Sequence, residues 1–224
     1  MRILVLADEQ MKNELKEKFK DAHEYICYKN YEFDKRIFRQ VDLAFDFILA
    51  EHPDQVHLYE REDKLPIFLN TIKTSLAQLL CHSIKLQNTN ASNFIGFNGL
   101  PGFFNRELLE ITSLSNITHN NQIELFTKLG TKYIQVQDRV GMVTPRVVCM
   151  IINEAFYTLQ EGTASEEDID QGMKLGTNYP YGPFEWASKI GLKNVYQLLE
   201  SVYQDTKDER YKICPLLKHR ALVS

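Results

Sequence analysis

Short apolar runs recur through roughly the first 138 residues and then stop, and this change of pattern constrains the fold more than any other feature. Residues 2–7 (RILVLA) read as a buried strand and 9–19 as a polar helix. Residues 25–28, 43–49 and 65–69 read as further strands, and 94–97, 108–114 and 133–136 add three more. Strands alternating with helix-like stretches imply an α/β domain whose sheet is mostly parallel and of the dinucleotide-binding type. The spacing predicts a first domain over 1–138 and an all-α second domain over 139–224.

After Gly141 the periodicity is helical. Val147, Val148, Met150, Ile151, Ile152, Ala155, Phe156 and Leu159 place apolar groups on most of one helix's circumference. Such a helix has to be covered on nearly every side, by its own domain or by a partner. Gly162 stands where a helix commonly ends. Ser165 is a natural N-cap, and Glu166, Glu167 and Asp168 behind it suit the positive end of the next helix dipole. Pro183 suits a first helical position, and Leu192, Val195, Leu198, Leu199, Val202 and Tyr203 mark a further amphipathic helix. Residues 88–93 are the most loop-like stretch.

Composition narrows the function. Net charge is −4, and no Lys/Arg cluster provides the basic footprint of a nucleic-acid binder. No apolar run approaches the roughly 20 residues of a membrane span. The chain opens directly into a strand-like segment with no stretch resembling a signal peptide. The four cysteines (Cys27, Cys81, Cys149, Cys214) form no C-x-x-C pair. A reduced, cytoplasmic protein without nucleic-acid or membrane partners is expected.

Several ordered segments carry a resemblance. Asn153-Glu154-Ala155, the run from Glu161 to Asp170, and Met173-Lys174-Leu175-Gly176 follow one another, then Pro180 to Glu185 and Ile190-Gly191-Leu192. Arg210-Tyr211 and Pro215-Leu216-Leu217-Lys218 complete the series. In order and spacing this third of the chain resembles the C-terminal helical domain of the 3-hydroxyacyl-CoA dehydrogenases. The resemblance implies a homodimer formed through these helices, an acyl-CoA-like small molecule as ligand and a role in hydroxyacyl-CoA metabolism. The N-terminal part is similar to the family's Rossmann domain in layout only.

Carried over position by position, the family's chemistry meets several losses. Its three glycines after the first strand fall on Ala7, Glu9 and Lys12. Such glycines let the backbone approach a diphosphate at a helix N-terminus, whereas Glu9 adds bulk and an acid there. Tyr28-Lys29-Asn30 stands where an acid would contact the ribose. On these grounds no cofactor is expected, although active members of the family use NAD. The family's long CoA-covering insertion shrinks to residues 30–42, in which Lys35, Arg36 and Arg39 are the available cations.

The family's catalytic histidine falls on Asn98 and the glutamate that orients it on Glu110. A neutral amide has no basic lone pair near neutral pH, and losing a general base typically costs about 10² to 10⁴ in rate. Glu110 is then expected to face solvent or an arginine. The family's serine falls on Ile72, with Ser75 close enough for a register slip, and its substrate-binding asparagine falls on Pro145. His82 and His119 lie on either side without the motif's flanking residues. No metal-ligand, nucleophile-elbow or phosphate-loop pattern substitutes for these losses. The sequence therefore favours a non-catalytic, dimeric binding or regulatory relative. The other readings are a divergent but active NAD-dependent 3-hydroxyacyl-CoA dehydrogenase and a small-ligand module using an interdomain cleft.

Overall fold

The structure, a computed structural model, describes every residue except 61, 63, 84–92, 115–118 and 224, and leaves aside the side chains of 21 and 119–122. The expected loop at 88–93 thus lies outside the described residues but for Asn93. The chain divides into two compact units, Met1–Met142 and Val143–Ser224. The division falls after 142 rather than 138 because the intervening residues are tied to the first unit. Asp138 accepts the Leu76 and Ala77 amides at 2.8 and 3.0 Å, and Gly141 N–H donates to Ile72 C=O at 2.8 Å.

The first unit is built on a seven-stranded sheet, β1 Arg2–Leu6, β2 Glu24–Tyr28, β3 Leu43–Asp46, β4 Ile67–Asn70, β5 Phe94–Phe97, β6 Leu108–Thr112 and β7 Lys132–Gln135. The strands lie in the order β2-β1-β3-β4-β5-β6-β7. Every pairing is parallel except β5 with β6. Alternate residues feed opposite layers, as the strand period of two requires. Ile3, Val5, Phe45, Phe68, Ile95 and Ile111 face one layer, and Leu4, Leu6, Ala44, Ile67, Leu69 and Phe94 the other. The first layer is closed by α1 (Glu9–Phe19) through Met11, Leu15 and Phe19, and by α3 (His119–Leu129) through Phe126 and Leu129. The second is closed by α2 (Leu76–Leu80) and by short 3-10 turns carrying Phe38, Leu49, Val56 and Tyr59.

One expected strand is cut short. Residues 43–49 read as a single apolar run, yet β3 stops at Asp46. The Asp46 carboxylate accepts the Ile48 and Leu49 amides, both at 2.9 Å, which turns the backbone out of the sheet and into a 3-10 helix over Leu49–Glu51.

The second unit is helical: α4 Thr144–Gln160, α5 Glu166–Thr177, α6 Pro183–Ile190, α7 Leu192–Thr206 and α8 Pro215–Val223. Pro145 lies in the first turn of α4, where its missing N–H costs nothing. Val148, Cys149, Ile152, Ala155 and Phe156 are the buried stripe of α4, while Val147 is 54% exposed. Ser165 caps α5, its hydroxyl accepting the Asp168 amide at 3.2 Å. Asp170 on α5 accepts the Phe184 and Glu185 amides at 2.8 and 3.1 Å, capping α6 from a neighbouring helix. That contact requires Gly182, since a Cβ there would lie 2.3 Å from the Asp170 carboxyl. Asn153 fixes the chain's last segment, donating to Lys212 C=O and accepting from Cys214 N–H, both at 2.9 Å.

Candidate functional site

The parallel registers bring the carboxyl ends of five strands to one edge. Leu6 pairs with Tyr28 and Asp46, Asp46 with Leu69, and Asn70 with Phe97. Ligands of open α/β sheets bind outside such an edge. Here it presents the Ala7–Glu9 turn, Lys29, Asp46, Asn70 to Ile72, and Asn98.

At the first turn, Ala7 N–H donates to Tyr28 C=O at 3.0 Å, and the Asp8 carboxylate caps α1 by accepting the Met11 amide at 2.8 Å. The cap occupies a donor that an anion would otherwise use. No glycine opens the turn, so the usual cradle for a diphosphate is missing. Glu9 is less hostile than its charge suggests. Its exposed carboxylate lies 3.2 Å from Lys12 and 3.6 Å from Lys29, and the pairing holds its pKa below the usual carboxylate value, chiefly through the Lys12 hydrogen bond. Lys29 is therefore engaged by Glu9 and also largely solvated.

The second shared point is the β5–β6 pair. Asn98 N–H donates to Glu110 C=O at 3.0 Å, so the two candidate residues stand side by side on adjacent segments of the sheet. Asn98 is buried, and its Oδ1 accepts the Leu100 amide at 3.1 Å, closing a side-chain turn at the strand's end. Glu110 is also buried, at 7% exposure, which corrects the expectation of a solvent-facing carboxylate. Strand alternation explains it: Leu109 and Ile111 fill the first layer, so Glu110 points to the opposite, covered face. Asn70 bridges the neighbouring strand ends, donating to Phe47 C=O at 3.3 Å and accepting from Gly99 N–H at 3.1 Å.

The other candidates separate. Ile72 is buried and its carbonyl holds Gly141. Ser75 is the N-cap of α2, in a reciprocal capping box with Gln78. Pro145 belongs to the second unit. Lys35, Arg36 and Arg39 lie on one exposed 3-10 turn, with Arg36 paired to Asp34. His82 is exposed, and the His119 side chain lies outside the described residues. Among the described residues no group of three or more His, Cys, Asp or Glu is placed to hold a metal ion, and no helix is long and apolar enough to cross a membrane.

Sequence reading passed over Asp46. Its carboxylate is fully buried at the β3 end and accepts the Tyr31 and Tyr59 hydroxyls at 2.8 and 2.7 Å as well as two backbone amides. Burial pushes its pKa up to about 6, against the opposing pull of these four donors. The three side chains lie far apart along the sequence, and no local motif joins them.

Comparison with known proteins places the chain. Residues 141–223 match the family model of the 3-hydroxyacyl-CoA dehydrogenase C-terminal domain. The chain is 48% identical over 94 residues, 42% of its length, to the 3-hydroxyadipyl-CoA dehydrogenase of Escherichia coli strain K12. It is 32% identical over 149 residues, 66% of its length, to a probable 3-hydroxybutyryl-CoA dehydrogenase of Bacillus subtilis strain 168. These matches span 20% and 51% of those relatives' lengths. The solved structure of (S)-3-hydroxybutyryl-CoA dehydrogenase from Ralstonia eutropha shares the fold at a TM-score of 0.76 and 22% identity, covering 99% of this chain and 93% of that one.

These relatives overturn the expectation that no cofactor is involved. They are dehydrogenases, and hydride transfer is carried by a nicotinamide or flavin rather than by a side chain. The expectation rested on the lost glycines, on Glu9 and on the missing ribose acid, and of these the charge of Glu9 is offset by Lys12 and Lys29. What the turn lacks is narrower: the glycine cradle itself. The matched helical domain identifies residues 141–223 as a C-terminal domain of the 3-hydroxyacyl-CoA dehydrogenase family, and the chain shares the fold of the Ralstonia enzyme.

Proposed function

We propose that this protein is a dimeric binding or regulatory member of the family, working in hydroxyacyl-CoA metabolism without catalysing hydride transfer. The observation that carries the reading is Asn98. It stands beside Glu110, where the family resemblance puts the base, and its amide oxygen is committed to the Leu100 N–H. An amide in that position neither takes the hydroxyl proton nor gives it back. Ile72 and Pro145, at the family's other two polar positions, offer no side-chain donor. The reading concerns the proton, so dinucleotide binding by itself would leave it standing. A homodimer through the helical unit is part of the proposal, supported by Val143, Val147, Leu222 and Val223, which are 53 to 71% exposed on the isolated chain.

The test is acetoacetyl-CoA-dependent oxidation of NADH by the purified protein, with light scattering to read the mass. Background rates and a dimer are expected. Turnover that Glu110→Ala abolishes would refute the reading and establish the second one, a divergent active dehydrogenase. The buried Glu110 next to the strand end favours that alternative.

A further inference from the structure

Beyond the sheet's antiparallel pair the first unit holds a pocket whose lining includes none of the family positions. Its volume is about 720 Å³, within the range of small-molecule sites. It is lined by the last turn of α1, residues 105–108, the second half of α3 and the start of β7. The floor is apolar: Leu108 and Ile123 are 49% and 44% exposed, and Tyr133 stacks on Phe126 with ring centroids 4.1 Å apart. The polar part is basic, with Lys18, Arg106 and Lys132 against the single acid Glu107, in a chain whose net charge is −4.

Those cations are not equivalent. Lys132 is exposed and already paired with Glu107 at 2.5 Å. The Arg106 guanidinium lies 3.8 Å over the Phe103 ring and donates to Gly102 C=O. Lys18 is half-buried between the pocket and the Phe19 and Phe104 rings. It donates to Arg106 C=O, and among the described residues its ammonium meets no carboxylate. Burial pulls its pKa down to about 8. A desolvated ammonium has three donors, and among the described residues this one spends a single donor. An anion arriving from the pocket would supply the missing charge partner.

We propose that this pocket binds a small free carboxylate with an apolar tail, its carboxylate on Lys18 and its hydrocarbon on Leu108, Ile123 and Tyr133. The site uses none of Asn70, Asn98 or Glu110, so its test and the acetoacetyl-CoA assay fail independently. Hexanoate, octanoate and 1-hexanol titrated into the whole protein in a calorimeter distinguish the terms. Octanoate should bind more tightly than hexanoate, by about three- to fourfold for each methylene it buries, and 1-hexanol should bind at least tenfold more weakly than hexanoate. Lys18→Met keeps the apolar stem and should weaken octanoate about tenfold. Ile123→Asp, at an exposed position on α3, should do the same by repulsion and serves if Lys18→Met fails to fold. Equal binding of acid and alcohol, unchanged octanoate affinity in a folded variant, or no binding of either acid at millimolar concentration would overturn the proposal.

Discussion

Replacing Asp46 with asparagine tests whether burial or hydrogen bonding governs the carboxyl edge. The folded-state pKa of Asp46 is raised to about 6 from an ordinary 3.8, desolvation being the main cause. A raised carboxyl pKa means the folded chain binds the proton more tightly than the unfolded one. The group's contribution to stability is therefore full below about pH 4 and is lost as pH rises through about 6. The gap of roughly two units, at about 1.4 kcal/mol each, makes the ionised form cost about 3 kcal/mol at neutral pH.

Asp46→Asn keeps an oxygen for the Ile48 and Leu49 amides. It places an amide where the Tyr31 and Tyr59 hydroxyls now donate, and hydroxyls can turn to accept. The variant should therefore gain up to about 3 kcal/mol over the parent near pH 7.5, less any misfit in the tyrosine contacts, and the gain should shrink toward zero near pH 4. Urea unfolding followed by far-UV circular dichroism across that range reads it directly. Differencing parent and variant removes the other titrating groups, including Glu9, Glu107, Glu124 and Glu185, whose lysine partners lower their pKa values. If the variant loses stability at neutral pH and the loss grows as pH rises, the four donors outweigh burial, and the reading of Asp46 as a carboxylate whose ionisation burial opposes is wrong.

Three further outcomes follow from the second unit. Gly182→Ala drives a Cβ into the Asp170 carboxyl and should cost about 2 kcal/mol or more in thermal unfolding, whereas an exposed control such as Gly172→Ala should not destabilise. Asn153→Leu leaves the Cys214 N–H and Lys212 C=O without their partner. It should cost about 2 to 4 kcal/mol and speed amide exchange in α8 before the rest of the helices. Ser165→Ala removes the α5 cap and should cost about 1 kcal/mol, read as a drop in the unfolding midpoint.

The strands and helices were legible because their signals are local. Each apolar run that anticipated a strand contains one, and α1 spans Glu9–Phe19 as its polar periodicity indicates. Caps such as Ser165 and Pro183 are also local, since they act within one turn. The β3 end was not legible: the apolar run continues through Leu49, and only the backbone bonds of the Asp46 carboxylate show where it leaves the sheet. For Glu110 the solvent-facing half of the expectation failed for a related reason. A lone carboxylate in a strand looks solvated until the covered face is known, and which face is covered depends on residues far away in sequence. The Lys18 pocket gathers four segments, and no spacing rule links residue 18 to residue 108.

The same contrast explains how a chain can keep this sheet while its strand-end side chains vary. Strand ends are positioned by residues such as Leu6, Phe45, Leu69 and Phe97, which are buried and tolerate volume-conserving apolar swaps at a cost usually below about 1.5 kcal/mol. Reactivity depends on a few polar side chains at those ends, and there one substitution removes a role completely. Asn98 illustrates the asymmetry. It follows β5 directly, bonds Glu110 through the backbone and closes its turn on Leu100, yet an amide has no basic nitrogen to take up a proton near neutral pH. Scaffold and reaction thus rest on different residues, and a match in the helices speaks for the architecture rather than for the strand-end chemistry.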